Sequence, residues 1–155
     1  MRRFNLLTVQ RSTTVRVPLD AAFRYFGDFA NTSEWDPGVV SSRKLAPGPP
    51  KAGDEYSVVA RFGGRKLPMR YEVLSVEAPH RIMLRGTSST STVRDVIEFE
   101  RVDGRTKITW TLDVELRGVT KLAEPLMKPL VDKLARRAIE GIERASWDGI
   151  PQQSH

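Results

Sequence analysis

Apolar and polar residues alternate along most of the chain between residues 8 and 116. Residues 8–17 keep Val9, Val15 and Val17 on one side, which is typical of a strand. Residues 39–116 predict an antiparallel meander of about six further strands, and Gly63-Gly64 and Asp103-Gly104 are hairpin turn signals within it. The last strand, residues 106–116, has an apolar side made of Ile108, Trp110, Leu112, Val114 and Leu116.

The pattern predicts helices at two places. Pro18-Leu19-Asp20 is a helix-start signal after the first strand, and a second, very short helix is expected to stop at residues 35–38. After Gly118 the apolar period changes to 3.6 residues, which predicts a long amphipathic helix over residues 119–147. Pro129 should bend that helix near its start. Its apolar stripe consists of Met127, Leu130, Val131, Leu134, Ala138, Ile142 and Ala145.

This order of elements predicts an α+β fold. A curved antiparallel sheet of about seven strands has one apolar face that another element must cover. The only long apolar stripe available for this is that of the last helix. We therefore expect the sheet to wrap around the C-terminal helix, with the two short helices after strand 1 near the opening. A bent sheet and one helix leave a gap between them, and such gaps are common ligand sites.

The composition fits one folded unit of 155 residues, and we expect a single domain over residues 1–150 followed by a loose tail at 151–155. The chain has no cysteine and two histidines, so a metal site of Cys or His ligands is not expected. No apolar run is long enough for a membrane span or a secretion signal, and the expected location is the cytoplasm. No cofactor is expected, and the oligomeric state is left open.

Several short motifs between residues 13 and 147 are shared with one known family. They are Val17-Pro18, Gly27-Asp28-Phe29-Ala30-Asn31, Trp35-Asp36-Pro37-Gly38-Val39, Gly53-Asp54, Tyr71-Glu72-Val73, Ala78-Pro79-His80-Arg81, Ile97-Glu98-Phe99-Glu100 and Arg117-Gly118. In these motifs the chain resembles the START-like helix-grip (SRPBCC) superfamily, in its polyketide cyclase/dehydrase-like branch. The resemblance implies a domain that binds lipids, sterols, polyketides or plant hormones. A minority of such proteins are cyclases or hydrolases, and no catalytic motif is present here.

Asp95 is the most informative polar residue, because it shares a strand face with Val93, Ile97 and Phe99. If that face is internal, burial should raise the pKa of the carboxyl unless a cation or a donor compensates. Arg11 and Arg70 are candidate partners. Asp95 is then a ligand anchor, a proton shuttle or a hydrogen-bonded structural acid, and a shifted strand register would instead expose it.

The other candidate ligand contacts are residues on the predicted inner faces. The hydroxyls of Tyr56 and Tyr71 could orient a ligand, or could make local core hydrogen bonds. Trp35, in the loop after the second helix, is either a lid or an anchor of that loop. The complete set of predicted ligand contacts is Trp35, Tyr56, Val58, Met69, Tyr71, Asp95, Ile97, Trp110, Met127, Leu130 and Leu134.

The positive charge is concentrated between residues 61 and 94. Arg70, Arg81, Arg85 and Arg94 alternate with apolar neighbours there, which predicts a basic outer face on the sheet. Such a face is either a solvated surface or a contact for an anionic membrane or an acidic partner; nucleic acid is disfavoured because no recognition motif is present. His80 is expected at the surface, since no nucleophile motif accompanies it.

Three functions are consistent with these patterns. The first is non-catalytic binding or carriage of a hydrophobic or amphipathic small molecule, such as a lipid, polyketide or aromatic metabolite. The second is a polyketide cyclase or dehydratase that uses Asp95 as its acid or base. The third is an interaction module that uses the basic sheet face.

Overall fold

The computed structural model describes residues 5–117 and 124–148. Seven strands form one antiparallel sheet in the order β1-β7-β6-β5-β4-β3-β2, so consecutive strands from β2 to β7 are neighbours and β1 closes the far edge on β7. The meander predicted from alternation is confirmed. The strands are β1 (Asn5–Val15), β2 (Val39–Lys44), β3 (Glu55–Phe62), β4 (Arg65–Glu77), β5 (Arg81–Thr87), β6 (Ser91–Val102) and β7 (Arg105–Leu116).

Two of the hairpins turn at the predicted dipeptides. Gly63 and Gly64 join β3 to β4 with φ angles of 59° and 81°, and Asp103 and Gly104 join β6 to β7 with 50° and 77°. Positive φ at both central residues is the requirement of the tight hairpin turn that matches the twist of the strands. These turns set the register of the two strand pairs that carry most of the candidate site.

Three helices complete the described part of the fold: α1 (Leu19–Phe26), α2 (Thr32–Trp35) and α3 (Glu124–Asp148). A single 3-10 turn at Phe29–Asn31 separates α1 from α2. Helix α1 follows Pro18, as predicted, and buries Leu19, Ala22 and Phe26. The two short helices after strand 1 are therefore confirmed, and they lie between β1 and β2 in the chain.

Helix α3 begins at Glu124, and the predicted helical residues 119–123 lie outside the described residues. Pro129 lies inside α3 as expected. The stripe that the helix buries is shifted relative to the predicted one: Ala135 and Ile139 join it, whereas Met127, Leu130, Leu134 and Ala145 are only half-buried. The helix packs against β1 and the end of α2. The predicted tail, residues 151–155, also lies outside the described residues.

The curved sheet and α3 enclose one hydrophobic core, so the predicted helix-grip α+β fold is confirmed. The inner face of β6 buries Val93, Asp95, Ile97 and Phe99 in alternation, which excludes the shifted register that would have exposed Asp95. Among the described helices, none combines the length and the apolar run that a membrane span requires.

Candidate ligand-binding site

A cavity lies between the inner face of the sheet and the helices α2 and α3. Strands β3, β4, β6 and β7 supply most of its lining. Its volume is about 120 Å³. An engineered apolar cavity of about 150 Å³ is large enough to bind benzene. A compact small molecule fits such a space.

Most of the lining is apolar. Side chains that alternate on the inner strand faces point at the cavity, and the 3-10 turn before α2 adds one aromatic ring. Transfer of an apolar ligand surface from water into this lining is favourable by about 25 cal/mol per Å² before ordering costs. The main apolar contributors are Phe29, Val58, Met69, Val93, Leu112 and Val114.

Asp95 on β6 is a buried carboxyl in this apolar lining, with 2% of the residue exposed. The indole Nε1 of Trp110 donates a hydrogen bond to its Oδ2 at 2.9 Å. The other oxygen, Oδ1, is buried without a hydrogen-bond partner among the described residues. Burial raises the pKa of Asp95 to about 7; the Trp110 hydrogen bond opposes the rise, and the charges of Asp36 and Asp113 add to it. The carboxyl can therefore change its protonation state near neutral pH.

The two arginines proposed as partners of Asp95 lie elsewhere, so that prediction is wrong. Arg11 is exposed and has its guanidinium 3.9 Å from Asp132 on α3. Arg70 is exposed on the outer face of β4 and contacts Glu55 at 3.0 Å. The reason is strand alternation: Arg70 is adjacent to the inward Met69 and Tyr71 and must point outward. The compensating group is the Trp110 indole.

A second acid, Asp36, follows α2 and also lines the cavity. Its Oδ1 accepts a hydrogen bond from the backbone N–H of Gly38 at 2.8 Å. Burial raises the pKa of Asp36 to about 6, and the Gly38 hydrogen bond opposes that rise. In the sequence, Asp36 belongs to a helix stop and to one of the shared family motifs, and neither indicates that its side chain lines a cavity. The cavity thus has two acids whose pKa values are raised.

Tyr71 on β4 lies close to both acids. Burial raises the pKa of its hydroxyl, and the charges of Asp95 and Asp36 raise it further, so the phenol stays protonated. Its ring packs at a tilt on Phe29, with 5.1 Å between ring centroids. Gly86, its direct partner on β5, provides the space: a Cβ atom there would lie 2.5 Å from Tyr71 Cζ.

Trp35 is the last residue of α2 and is 4% exposed, which corrects the prediction that it lies in a loop. Its ring packs edge-on against Phe26 at 5.8 Å, so it anchors the segment. It also lines the cavity, and its Nε1 is buried without a partner among the described residues. A Cβ atom on Gly141 of α3 would overlap the carbonyl oxygen of Trp35, so the helix approaches this residue closely.

The structure brings together most of the predicted ligand contacts. Tyr56 is not among the lining residues; it is fully buried and its hydroxyl donates to Asp28 Oδ1 at 2.9 Å, which is the local core role. Ile97 is likewise in the core, and Met127 and Leu130 are half-buried on α3 outside the lining. The predicted residues that do line the cavity are Trp35, Val58, Met69, Tyr71, Asp95, Trp110 and Leu134.

Other lining residues are absent from the predicted set. Leu112 and Val114 share the inner face of β7 with Trp110, and Val93 shares the inner face of β6 with Asp95. The alternation of apolar residues in the sequence could therefore have identified all three. Phe29 and Asp36 belong to irregular segments, where no periodicity indicates the direction of a side chain.

The remaining polar candidates form no second site. In residues 5–117 and 124–148, no group of three or more His, Cys, Asp or Glu residues could hold a metal ion. His80 is exposed as expected, and its Nδ1 lies 3.2 Å from the carbonyl oxygen of Phe99. Ser88 and Ser91 are buried and hydrogen-bonded to each other at 2.8 Å.

The basic outer face contains acids as well as arginines. Arg85 contacts Glu72 at 2.8 Å, and Arg81 contacts Glu77 at 3.3 Å. Exposed pairs of this kind contribute little stability, but the acids lower the net charge of the face. Contact of this face with anionic membranes stays a prediction.

A helix-grip fold with a mostly apolar cavity between its sheet and its helices defines a ligand-binding domain of the START and polyketide cyclase-like class. The chain belongs to the polyketide cyclase / dehydrase and lipid transport family, whose model matches residues 7–150. The comparison with curated proteins found no match.

Solved structures share the fold at low sequence identity. The Zhui aromatase/cyclase of Streptomyces sp. R1128 is 13% identical with a TM-score of 0.76, over 92% of this chain and 94% of that one. The protein TTHA0849 from Thermus thermophilus is 17% identical with a TM-score of 0.78, over 91% and 97%. A START superfamily protein from Mycobacterium smegmatis is 16% identical with a TM-score of 0.77, over 90% and 97%. At these identities the likeness shows the fold alone.

Proposed function

We propose that the protein binds or carries a hydrophobic or amphipathic small molecule, such as a lipid, polyketide or aromatic metabolite, in the cavity. One observation carries the proposal: a mostly apolar cavity is lined by Asp95, whose buried Oδ1 has no hydrogen-bond partner among the described residues. The family, which includes lipid transport, is consistent with it.

The energetics favour a ligand with one polar group. A buried acceptor left without a hydrogen bond costs about 1–3 kcal/mol. A ligand donor at Asp95 Oδ1 would remove that cost, and the apolar walls would bury the rest of the molecule. Affinity would come from the apolar area and orientation from Asp95, with Tyr71 as a second polar contact.

The proposal is tested with 2-naphthol, an uncharged fluorescent naphthalene dye whose hydroxyl is a hydrogen-bond donor. We expect saturable binding, measured from the change in its emission. Val114→Phe should fill the cavity from β7 and lower dye affinity at least roughly tenfold, because it occupies the space that the ligand needs. Val96→Phe is the matched control, since Val96 lies on the outer face of β6. Equal loss in both variants, or no loss in Val114→Phe, would show that the dye binds outside the cavity.

Catalysis is the second candidate, and the pKa of Asp95 favours it. A general acid or base works best with a pKa near the working pH, and burial brings that of Asp95 to about 7. A cyclase or dehydratase reaction would use Asp95 to move the proton while Tyr71 holds an oxygen of the substrate. Asp95→Asn should then abolish turnover of a polyketide-like substrate and retain its binding. Turnover that survives the substitution would exclude this role.

A further inference from the structure

We propose that the cavity selects ligands whose buried polar group is a hydrogen-bond donor, either a hydroxyl or an ammonium, and that it excludes carboxylates. The inference rests on the proposed function and specifies the chemistry of the ligand. It depends on the two acids of the cavity and on the unpartnered oxygen of Asp95.

The charge of Asp95 sets this selectivity, because the donors Trp35 Nε1 and the Tyr71 hydroxyl, which also belong to the lining, are neutral. Asp95 Oδ1 accepts no hydrogen bond from the described residues, and Oδ2 already accepts from Trp110. The residues paired with Asp95 on the neighbouring strands are Leu84 on β5 and Leu112 on β7, and neither has a polar side-chain atom. A ligand group that reaches Asp95 therefore meets an acceptor when the carboxyl is ionised, and a carboxylate there meets a like charge.

The charged and titratable groups of the lining are Asp36, Asp95, Tyr71 and Arg61. Asp36 and Asp95 both raise the pKa of Tyr71, which places the three groups within electrostatic reach of one another. Arg61, the cation of the lining, is exposed near the end of β3. A negatively charged group at Asp95 would thus be near two acids, whereas the only basic side chain among the described lining residues is solvated.

The two acids also determine whether ligand affinity rises or falls with pH. As the pH rises from about 6 to about 8, Asp95 loses its proton, and both acids are then charged. Ammonium ligands should gain affinity over that range and carboxylate ligands should lose it. A neutral hydroxyl ligand donates to the carboxylate and should gain modestly.

The test uses a probe series with one ring system: naphthalene, 2-naphthol, 2-(aminomethyl)naphthalene and 2-naphthoate. Affinities are measured by isothermal titration calorimetry at about pH 8. We expect 2-naphthol and the ammonium probe to bind at least roughly tenfold more tightly than 2-naphthoate, with naphthalene in between. Equal affinities, or tighter binding of 2-naphthoate, would overturn the inference and leave the proposed function standing. If no probe binds, the proposed function itself fails.

Two variants separate the role of Asp95 from a general charge effect. Asp95→Asn keeps the size of the side chain and supplies an N–H donor, so the preference against 2-naphthoate should shrink by at least roughly fivefold. Glu98→Gln removes a charge from the exposed outer face of the same strand and should leave the preference unchanged. A preference that survives in Asp95→Asn, or that shrinks equally in Glu98→Gln, would overturn the assignment to Asp95. Because the wild-type series stands alone, poor folding of either variant does not affect the test.

Discussion

Trp110 on β7 donates its indole N–H to Oδ2 of Asp95 on the neighbouring strand β6, at 2.9 Å, inside the core of the sheet. This bond satisfies one carboxylate oxygen and leaves the other, Oδ1, facing no partner among the described residues. The pair therefore holds the carboxyl in a fixed orientation and leaves one acceptor without a hydrogen bond. That arrangement differs from a fully satisfied structural acid and is the basis of the ligand model.

The buried carboxyl should make stability depend on pH. The pKa of Asp95 is raised from 3.8 to about 7, so the folded protein retains a proton that the unfolded chain has lost. The contribution of Asp95 to the free energy of unfolding is therefore complete below about pH 4. It decreases as the pH rises from about 4 to about 7 and does not change further above pH 7. Asp36 acts in the same direction, up to about pH 6.

Asp95→Asn should remove that contribution. Relative to wild type, the variant should gain roughly 2–3 kcal/mol in the free energy of unfolding between about pH 5 and about pH 8. Urea denaturation at the two pH values measures the difference, and Glu98→Gln on the outer face serves as control. Parallel pH profiles for Asp95→Asn and wild type would contradict a buried, protonatable Asp95.

Removal of the Trp110 donor should raise the pKa of Asp95. The hydrogen bond stabilises the ionised carboxyl, so Trp110→Phe leaves burial unopposed and moves the pKa above about 7. The measurement is a carboxyl ¹³C NMR titration of Asp95. Thr111→Val, the next residue on the outer side of β7, is the control and should leave the titration unchanged. A pKa that falls in Trp110→Phe is the opposite of what this geometry requires.

Gly86→Ala should disturb the position of Tyr71. The new Cβ would lie 2.5 Å from Tyr71 Cζ and 2.8 Å from Val93 Cγ2, so the ring must move toward the cavity. We expect a loss of about 1–3 kcal/mol of stability and weaker binding of 2-naphthol. Thermal or urea unfolding and calorimetry provide the two values. Thr87→Ala, at an exposed position of the same strand, should change neither, and a neutral Gly86→Ala would mean that the ring has room to shift.

Gly141→Ala tests the contact between α3 and Trp35, because the contact determines whether the substitution raises or lowers stability. In a free helix alanine is more favourable than glycine by roughly 1 kcal/mol. Here its Cβ would overlap the carbonyl oxygen of Trp35, so α3 must shift away from α2. The variant should therefore lose at least roughly 2 kcal/mol of stability. Glu140→Ala, at the exposed neighbouring position, is the control, and a stabilised Gly141→Ala would show that helix and Trp35 are not in close contact.

Strand and helix positions could be predicted because alternation and the 3.6-residue period report directly on which face is buried. The same rule correctly placed Asp95, Tyr71 and Trp110 on the inner face. It does not report how far the opposing element lies from each inner residue. Tyr56 and Tyr71 show the difference: both are inward on adjacent strands, but Asp28 takes the hydroxyl of Tyr56, whereas Tyr71 lines the cavity.

Irregular or very short segments account for the errors at Asp36 and Trp35. Asp36 lies after α2, where its direction follows from a hydrogen bond to Gly38 that no periodicity encodes. The loop prediction for Trp35 is wrong because a four-residue helix is too short to show a period. The predicted partners of Asp95 were cations, whereas the actual donor is the neutral indole of Trp110 across the strand pair.

The central claim is that the cavity holds a small molecule by its apolar walls and by Asp95. A crystal structure of the protein soaked with 2-naphthol tests it most directly. The account predicts density for the ring system between β7 and α3, with the hydroxyl within hydrogen-bond distance of Asp95 Oδ1. A saturating soak that leaves only water in the cavity, or that places the probe on the outer face of the sheet, would contradict it.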